Sequence, residues 1–160
     1  MTKPKPEERF MRRALRKGLE GVRKGQTPFG ACIVRGDVVV ALAHNSVWKT
    51  CDPTAHAEVN AIRRAARRLG SIDLSGCVIY STCEPCPMCF SAIHWARLDA
   101  VVFGARIRDA GRLGFNELWV PDRTLKRLAH SPVALVEDYL RDECLDLFRA
   151  WAAAPRRRSY

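Results

Sequence analysis

The chain has 160 residues, with 27 lysines and arginines against 17 aspartates and glutamates, for a formal net charge of +10 at pH 7. That length supports one domain with a full core, and 48% apolar with 28% charged residues is ordinary for a globular protein. No apolar run approaches the about 18 residues of a membrane span. No apolar stretch follows the basic start Met1-Thr2-Lys3-Pro4-Lys5-Pro6 either, so an exported or membrane-spanning protein is not expected and the default address is the cytoplasm.

Residues 1–5 read as a loose tail. A helix is expected from Pro6, with Glu7 and Glu8 at the positive end of its dipole. Phe10, Met11, Ala14, Leu15, Leu19 and Val22 recur at helical spacing, and Gly25 ends the run. Two β-branched runs, 29–34 and 38–43, joined by Arg35-Gly36-Asp37, read as a hairpin. A loop over 44–51 follows. Asp52-Pro53-Thr54 is a helix-start signal with Thr54 as N-cap, and the helix runs to about Leu69 before Gly70.

Residues 77–82 form a buried strand, Pro87 opens a helix to about Arg97, and residues 100–104 form another strand. Strand, helix and strand in so short a span is a βαβ unit, so those two strands are parallel with a right-handed crossover. Residues 105–131 read as an irregular excursion, residues 133–136 as a short last strand, and a final helix starts near Asp138. It places Leu140, Cys144, Leu147, Phe148 and Trp151 on one stripe. The tail over 155–160 is basic. The whole is an α/β single domain over 1–160, three layers deep, with a five-stranded mixed sheet between helices.

Seven cysteines, an odd number, in a chain without an export signal point to thiols or metal, not disulfides. Two segments gather the chemistry: His56-Ala57-Glu58 and Pro85-Cys86-Pro87-Met88-Cys89. Together they are the H-x-E and P-C-x-x-C pattern of zinc deaminases. One histidine and two cysteines leave the fourth position of a tetrahedral zinc open, as a catalytic site requires.

Cys86 and Cys89 fall one helical turn apart, near a helix N-terminus that favours thiolate. Cys83 makes a second, overlapping C-x-x-C pair, but the proline-first pattern selects Cys86 and Cys89. His56 and Glu58 are offset by two residues, about 200° on an ideal helix. They can serve one site only if it lies end-on beyond an N-terminus or if the first turn is irregular. The zinc is therefore expected between the N-termini of the helices at 54–69 and 87–97.

The chemistry that follows is hydrolytic loss of ammonia from an amidine-like ring carbon. Hydroxide on zinc is the nucleophile, available because the bound water's pKa falls toward about 7. Glu58 carries the water's proton to a ring nitrogen and then to the departing amine. A zinc protease would need H-E-x-x-H, which the chain lacks.

From Asp52-Pro53-Thr54-Ala55-His56-Ala57-Glu58 through Cys83-Glu84-Pro85-Cys86-Pro87-Met88-Cys89, nearly the whole chain resembles the cytidine-deaminase-like superfamily. Its bacterial guanine deaminases and tRNA adenosine deaminases are the branches it is most similar to. Pro28-Phe29-Gly30-Ala31, Ala92-Ile93-His94-Trp95-Ala96-Arg97, Asp109-Ala110 before Gly114-Phe115, and Phe148-Arg149-Ala150-Trp151 with Tyr160 resemble the guanine deaminases. Val102-Phe103-Gly104-Ala105-Arg106, Asp142-Glu143-Cys144 and the Arg156–Arg158 tail are similar to the tRNA enzymes. The segment before Asp109 is one residue shorter than the guanine-deaminase pattern.

The resemblance implies that Asn45 hydrogen-bonds a purine, that Phe29 and Trp95 wall or stack the ring, and that the Ala57 N–H meets the purine carbonyl. It implies that Asp109 contacts the base's N–H edge and that Tyr160 closes the pocket with its ring or terminal carboxylate, the tail over 155–160 capping a site. It further implies one zinc ion per chain, a purine substrate and a homodimer.

Guanine, giving xanthine and ammonia, is thus the expected substrate. Adenosine in tRNA is the alternative, followed by cytosine, guanosine or ammeline. RNA is the less expected partner, since Arg12, Arg13, Arg16 and Lys17, and Arg63, Arg64, Arg67 and Arg68, have the i, i+4 spacing of solvated helix faces. A dead zinc-stabilised RNA-binding module would have no use for Glu58.

Overall fold

The computed structural model describes residues 5–160. Of the tail expected over 1–5, residues 1–4 therefore lie outside the described residues. The first helix, α1, spans Glu8–Arg23, two residues later than Pro6, and Gly25 beyond it has the left-handed φ of 76° that favours glycine.

The hairpin forms as β1 (Gly30–Arg35) and β2 (Val38–His44). The loop after β2 holds a one-turn helix, α2 (Val47–Thr50). Then come α3 (Ala57–Leu69), β3 (Cys77–Cys83), α4 (Pro87–Trp95) and β4 (Ala100–Ala105). The excursion carries two short helices, α5 (Ile107–Arg112) and α6 (Asp122–Leu128). A three-residue β5 (Ala134–Val136) and α7 (Arg141–Ala152) end the domain.

The sheet order is β2-β1-β3-β4-β5. β1 runs antiparallel to both β2 and β3, while β3, β4 and β5 are mutually parallel. This is the expected five-stranded mixed sheet, with the βαβ unit at β3-α4-β4. Helices α1 and α7 pack together over β1 and β4, and α3 and α4 pack together over the other face. β4 is buried throughout, as a central parallel strand covered on both sides must be.

One close approach fixes α1 on the sheet. A Cβ at Gly30 would lie 2.1 Å from the Ala14 carbonyl oxygen, so only glycine lets the helix backbone meet the start of β1. Phe29, just before it, is thereby held at a defined place beside the carboxyl end of β3. Among the described residues no helix is long and apolar enough to cross a membrane.

Two further helix starts differ from the sequence expectation, and each has a local cause. Thr54 caps nothing: the Asp52 carboxylate accepts both its N–H, at 2.8 Å, and its hydroxyl, at 2.6 Å. That closed turn delays α3 to Ala57 and leaves His56 at the N-cap with extended backbone, φ −65° and ψ 158°. The last helix starts at Arg141, not near Asp138, because Asp138 and Leu140 both adopt left-handed backbone, φ 58° and 47°. At its other end α4 stops at Trp95, two residues before Arg97, which is also left-handed.

Candidate metal centre and substrate pocket

The N-cap position of His56 resolves its offset from Glu58. His56 is not helical, so its ring reaches past the end of α3, while Glu58 points inward from the first turn. Asn60, one turn further, ties this corner down. Its side-chain nitrogen donates to the carbonyls of His44 and Ala55, both at 3.1 Å, and to the Ser46 hydroxyl at 2.9 Å.

The same arrangement recurs on α4: Cys86 is the N-cap, Pro87 the first helical residue, and Cys89 lies in the first turn. The two helix N-termini therefore face one point. The Cys86 and Cys89 sulfurs lie 3.6 and 3.5 Å from His56 Nδ1, and the three donor atoms are all within 4.8 Å of one another. A tetrahedral zinc about 2.3 Å from sulfur and about 2.0–2.1 Å from nitrogen separates the two by about 3.5 Å. The cluster thus has the size and the donors of a three-ligand zinc site. Cys83, buried at the end of β3, lines the adjoining pocket and is not part of the cluster.

Electrostatics prepare the cluster for a cation. The Cys89 thiol donates to Cys86 and, with His56 beside it, holds the Cys86 thiol down to about 4 against the effect of burial. Cys89 itself is pushed up by that shared proton and by burial. Glu58 is buried and hydrogen-bonded at Oε1 by the Ser81 hydroxyl at 2.7 Å, with Cys89 Sγ 3.4 Å from Oε2. Burial raises its carboxyl above the usual range, as suits a group that takes up and gives back a proton near neutrality.

The pocket beside the cluster is lined by Phe29, Asn45, Glu58, Cys83, Glu117 and Tyr160 among others. Asn45 is fully buried and oriented: its Oδ1 accepts the Val47 N–H at 3.1 Å, leaving Nδ2 to donate to the Tyr160 phenol at 2.6 Å. Phe29 stacks edge-on against Phe115 and Phe148, with ring centroids 5.1 and 5.7 Å away. Tyr160 closes the mouth. Its ring lies 5.6 Å from His56 and 5.7 Å from Phe115, and its carbonyl accepts the Asn116 N–H at 2.9 Å. Ala57, the first residue of α3, is buried, and its N–H has no acceptor within the helix.

Two expected pocket residues are elsewhere. Trp95, at the far end of α4, is 81% exposed and lies with Ile72 along a separate surface groove, so it does not wall this pocket from within the chain. Asp109 serves α5 instead. Its carboxylate accepts the Arg106 N–H at 2.8 Å and pairs with Arg141 at 2.7 Å, and these partners hold it below the usual range despite burial.

The acid that does reach the pocket is Glu117, from the loop between α5 and α6. Burial, reinforced by the charge on Cys86, pushes it up to about 7. Glu84 is the second residue that sequence reasoning missed. Its buried carboxylate accepts the N–H of Ile107 at 3.2 Å and of Asp122 at 3.0 Å, pinning the excursion to the strand end that carries the cysteines.

Residues 4–105 match the family described as the cytidine and deoxycytidylate deaminase zinc-binding region. The chain is 40% identical over 154 residues to a guanine deaminase of Bacillus subtilis (strain 168), covering 96% of this chain and 98% of that one. It is 46% identical over 99 residues to a tRNA-specific adenosine deaminase of Aquifex aeolicus (strain VF5), covering 62% of this chain and 66% of that one. Its fold is similar to that of a guanine deaminase from Nitrosomonas europaea, with a TM-score of 0.83 at 27% identity over 95% of this chain and 90% of that one.

Proposed function

The chain belongs to the zinc-binding cytidine and deoxycytidylate deaminase family, and we propose that within it this enzyme is a guanine deaminase, converting guanine and water to xanthine and ammonia. The observation that carries guanine over a polynucleotide is Tyr160. With its ring against His56 and its phenol on Asn45, the tail covers the mouth of the pocket and leaves little path for a strand. Similarity to a guanine deaminase along 96% of the chain supports the same reading.

His56, Cys86 and Cys89 would hold the zinc. When bound, it supplies the Lewis acidity that makes water nucleophilic at neutral pH. The chain's own residues do the rest. Phe29 walls one face of the ring, the Asn45 amide and the Ala57 N–H fix the purine's polar edge, and the Glu117 carboxylate takes the N–H edge that was expected to fall to Asp109. Glu58 accepts a proton from the attacking water and passes it to the ring nitrogen next to the reacting carbon, then takes the remaining proton of the added hydroxyl and delivers it to the amine, which leaves as ammonia. The tail excludes bulk water while this happens.

The test is ammonia release from guanine by zinc-loaded protein, compared with Glu58→Ala. Absence of release from the unaltered enzyme removes the reading. The tRNA adenosine deaminase alternative draws on the similarity to the Aquifex enzyme and on Arg156–Arg158, and inosine formation in tRNA at a rate above that of guanine turnover would establish it. The homodimer implied by the resemblance remains part of this reading. Ile72 and Trp95, 89% and 81% exposed, offer apolar surface for a second copy. Sedimentation of Trp95→Glu beside the unaltered chain tests that.

A further inference from the structure

The Arg156–Arg158 run is not used by the deaminase chemistry, yet it has a defined setting. It forms one wall of a surface groove of about 640 Å³, whose other wall is Lys24 and Gln26 after α1 and Lys49 of α2. A second cleft shares Lys24, Arg156 and Arg157 and adds Arg23. Six cations thus converge on one concave surface, and no aspartate or glutamate lines either cleft. Among the described residues only Lys24 of the six has an ion-pair partner, Glu20 at 2.5 Å.

Trp48, which lines the groove, connects it to Tyr160 at the mouth of the active-site pocket. The Arg158 guanidinium lies 4.1 Å over the Trp48 ring, the Trp48 indole N–H donates to the Arg158 carbonyl at 3.2 Å, and the ring packs on Tyr160 at 6.4 Å. The tail is therefore fastened at 158–160 and at the end of α7. Between them Pro155, Arg156 and Arg157 are exposed and make no backbone–backbone hydrogen bond to the body of the domain; the Arg157 guanidinium donates to the Ala152 carbonyl at the end of α7. Bringing three arginines against Lys24 and Lys49 opposes closure by like-charge repulsion. An anion that accepts hydrogen bonds from both walls would turn that repulsion into attraction.

We infer that this groove is a binding site for a phosphate-bearing small anion of the pyrophosphate type, which clamps the C-terminal tail over the deaminase pocket. Arginine forks match phosphate oxygens bidentately, and a groove of this size accommodates a nucleotide-sized ligand. Two phosphates are favoured over one because the cations lie on opposite walls. The site does not depend on which base the pocket takes.

The test uses the zinc-loaded full chain at ionic strength held constant with potassium chloride. Pyrophosphate is titrated by calorimetry, with inorganic phosphate and a single-stranded RNA oligonucleotide as parallel arms. Tail opening is read separately, as the rate of trypsin cleavage after Arg156, Arg157 and Arg158. Pyrophosphate is expected to bind, to do so more tightly than phosphate, and to slow cleavage several-fold. Lys24→Ala/Lys49→Ala removes the body wall and leaves the tryptic sites in place; it should weaken binding about tenfold or more and abolish the protection, while Lys24→Arg/Lys49→Arg retains both.

Binding to the double alanine variant as tight as to the unaltered chain overturns the proposal. So does the absence of both binding and protection in the unaltered chain. If the oligonucleotide binds and protects and pyrophosphate does neither, the groove is a nucleic-acid surface and the small-anion site is wrong. No readout requires turnover, so these outcomes are separate from the fate of the guanine reading.

Discussion

The side-chain nitrogen of Asn45 donates to the Tyr160 phenol at 2.6 Å, latching the loop after β2 to the last residue of the tail. This N–H₂ group is also the donor Asn45 has for a purine, while its oxygen accepts the Val47 N–H. Closure and substrate recognition therefore share one amide. Losing the latch costs about 1 kcal/mol, so Tyr160→Phe should raise KM for guanine about fivefold and leave kcat within about twofold. Deleting residues 156–160 should go much further and abolish turnover, since the mouth is then open to water. Steady-state kinetics of the two variants check this, and full activity of the truncated chain would sink the role given to the tail.

Glu58 is held by Ser81 at one oxygen and faces the cysteine cluster with the other. As a proton carrier it contributes about 10²–10⁴ to the rate, so Glu58→Gln should lower kcat by that factor. Its isosteric amide should leave one zinc per chain, measured by elemental analysis. Loss of zinc in step with activity would instead make Glu58 a structural support for the site.

Much of the molecule was legible in the sequence because its strong signals are local. The β-branched runs, Gly36 and Gly70, and the spacing of His56, Glu58, Cys86 and Cys89 gave the sheet, the helix positions and the metal cluster. Even the end-on geometry followed from the two-residue offset of His56 and Glu58. What failed was decided by tertiary contacts. Thr54 looks like a cap until Asp52 captures it, and Asp109 looks like a pocket acid until Arg141 and the start of α5 claim it. Glu117 lies in a loop with no periodicity to orient it, so nothing in its neighbourhood marked it as facing inward. Trp95 has the composition of a stacking residue, but its place at the end of α4 turns it to solvent.

Glu117 sets a pH dependence. Its carboxyl is pushed up to about 7, chiefly by burial and next by the negative charge on Cys86. Zinc on Cys86 offsets that charge, so in the loaded enzyme the group should titrate somewhat lower, still above the usual carboxylate range. Only the ionised form, present above this pKa, accepts the purine N–H strongly, and kcat/KM for guanine should fall as pH drops through it. A hydrogen bond to a charged group is worth about 1.5–3 kcal/mol, so Glu117→Gln should lower kcat/KM about 10- to 100-fold at pH 8 and remove that acid limb. An unchanged profile between pH 5 and 8 would show that another group controls it.

Asp122 makes the most unusual demand on stability. It opens α6, is completely buried, and neither carboxylate oxygen has a hydrogen-bond partner. Burial, and then repulsion from Glu84, push its carboxyl from 3.8 up to about 9. A group protonated more readily in the folded state stabilises fully below its unfolded pKa, and that contribution is lost as pH rises toward the folded value. At about 1.4 kcal/mol per pH unit, the loss by pH 7 is on the order of 4 kcal/mol. Asp122→Asn keeps the shape, cannot ionise, and still leaves polar atoms short of partners. It should therefore match the unaltered chain near pH 4 and exceed it by an amount on the order of 4 kcal/mol at pH 7.5. Urea unfolding across that range measures the difference, and parallel stability curves for the two proteins would mean that Asp122 is not the neutral, buried acid its surroundings require.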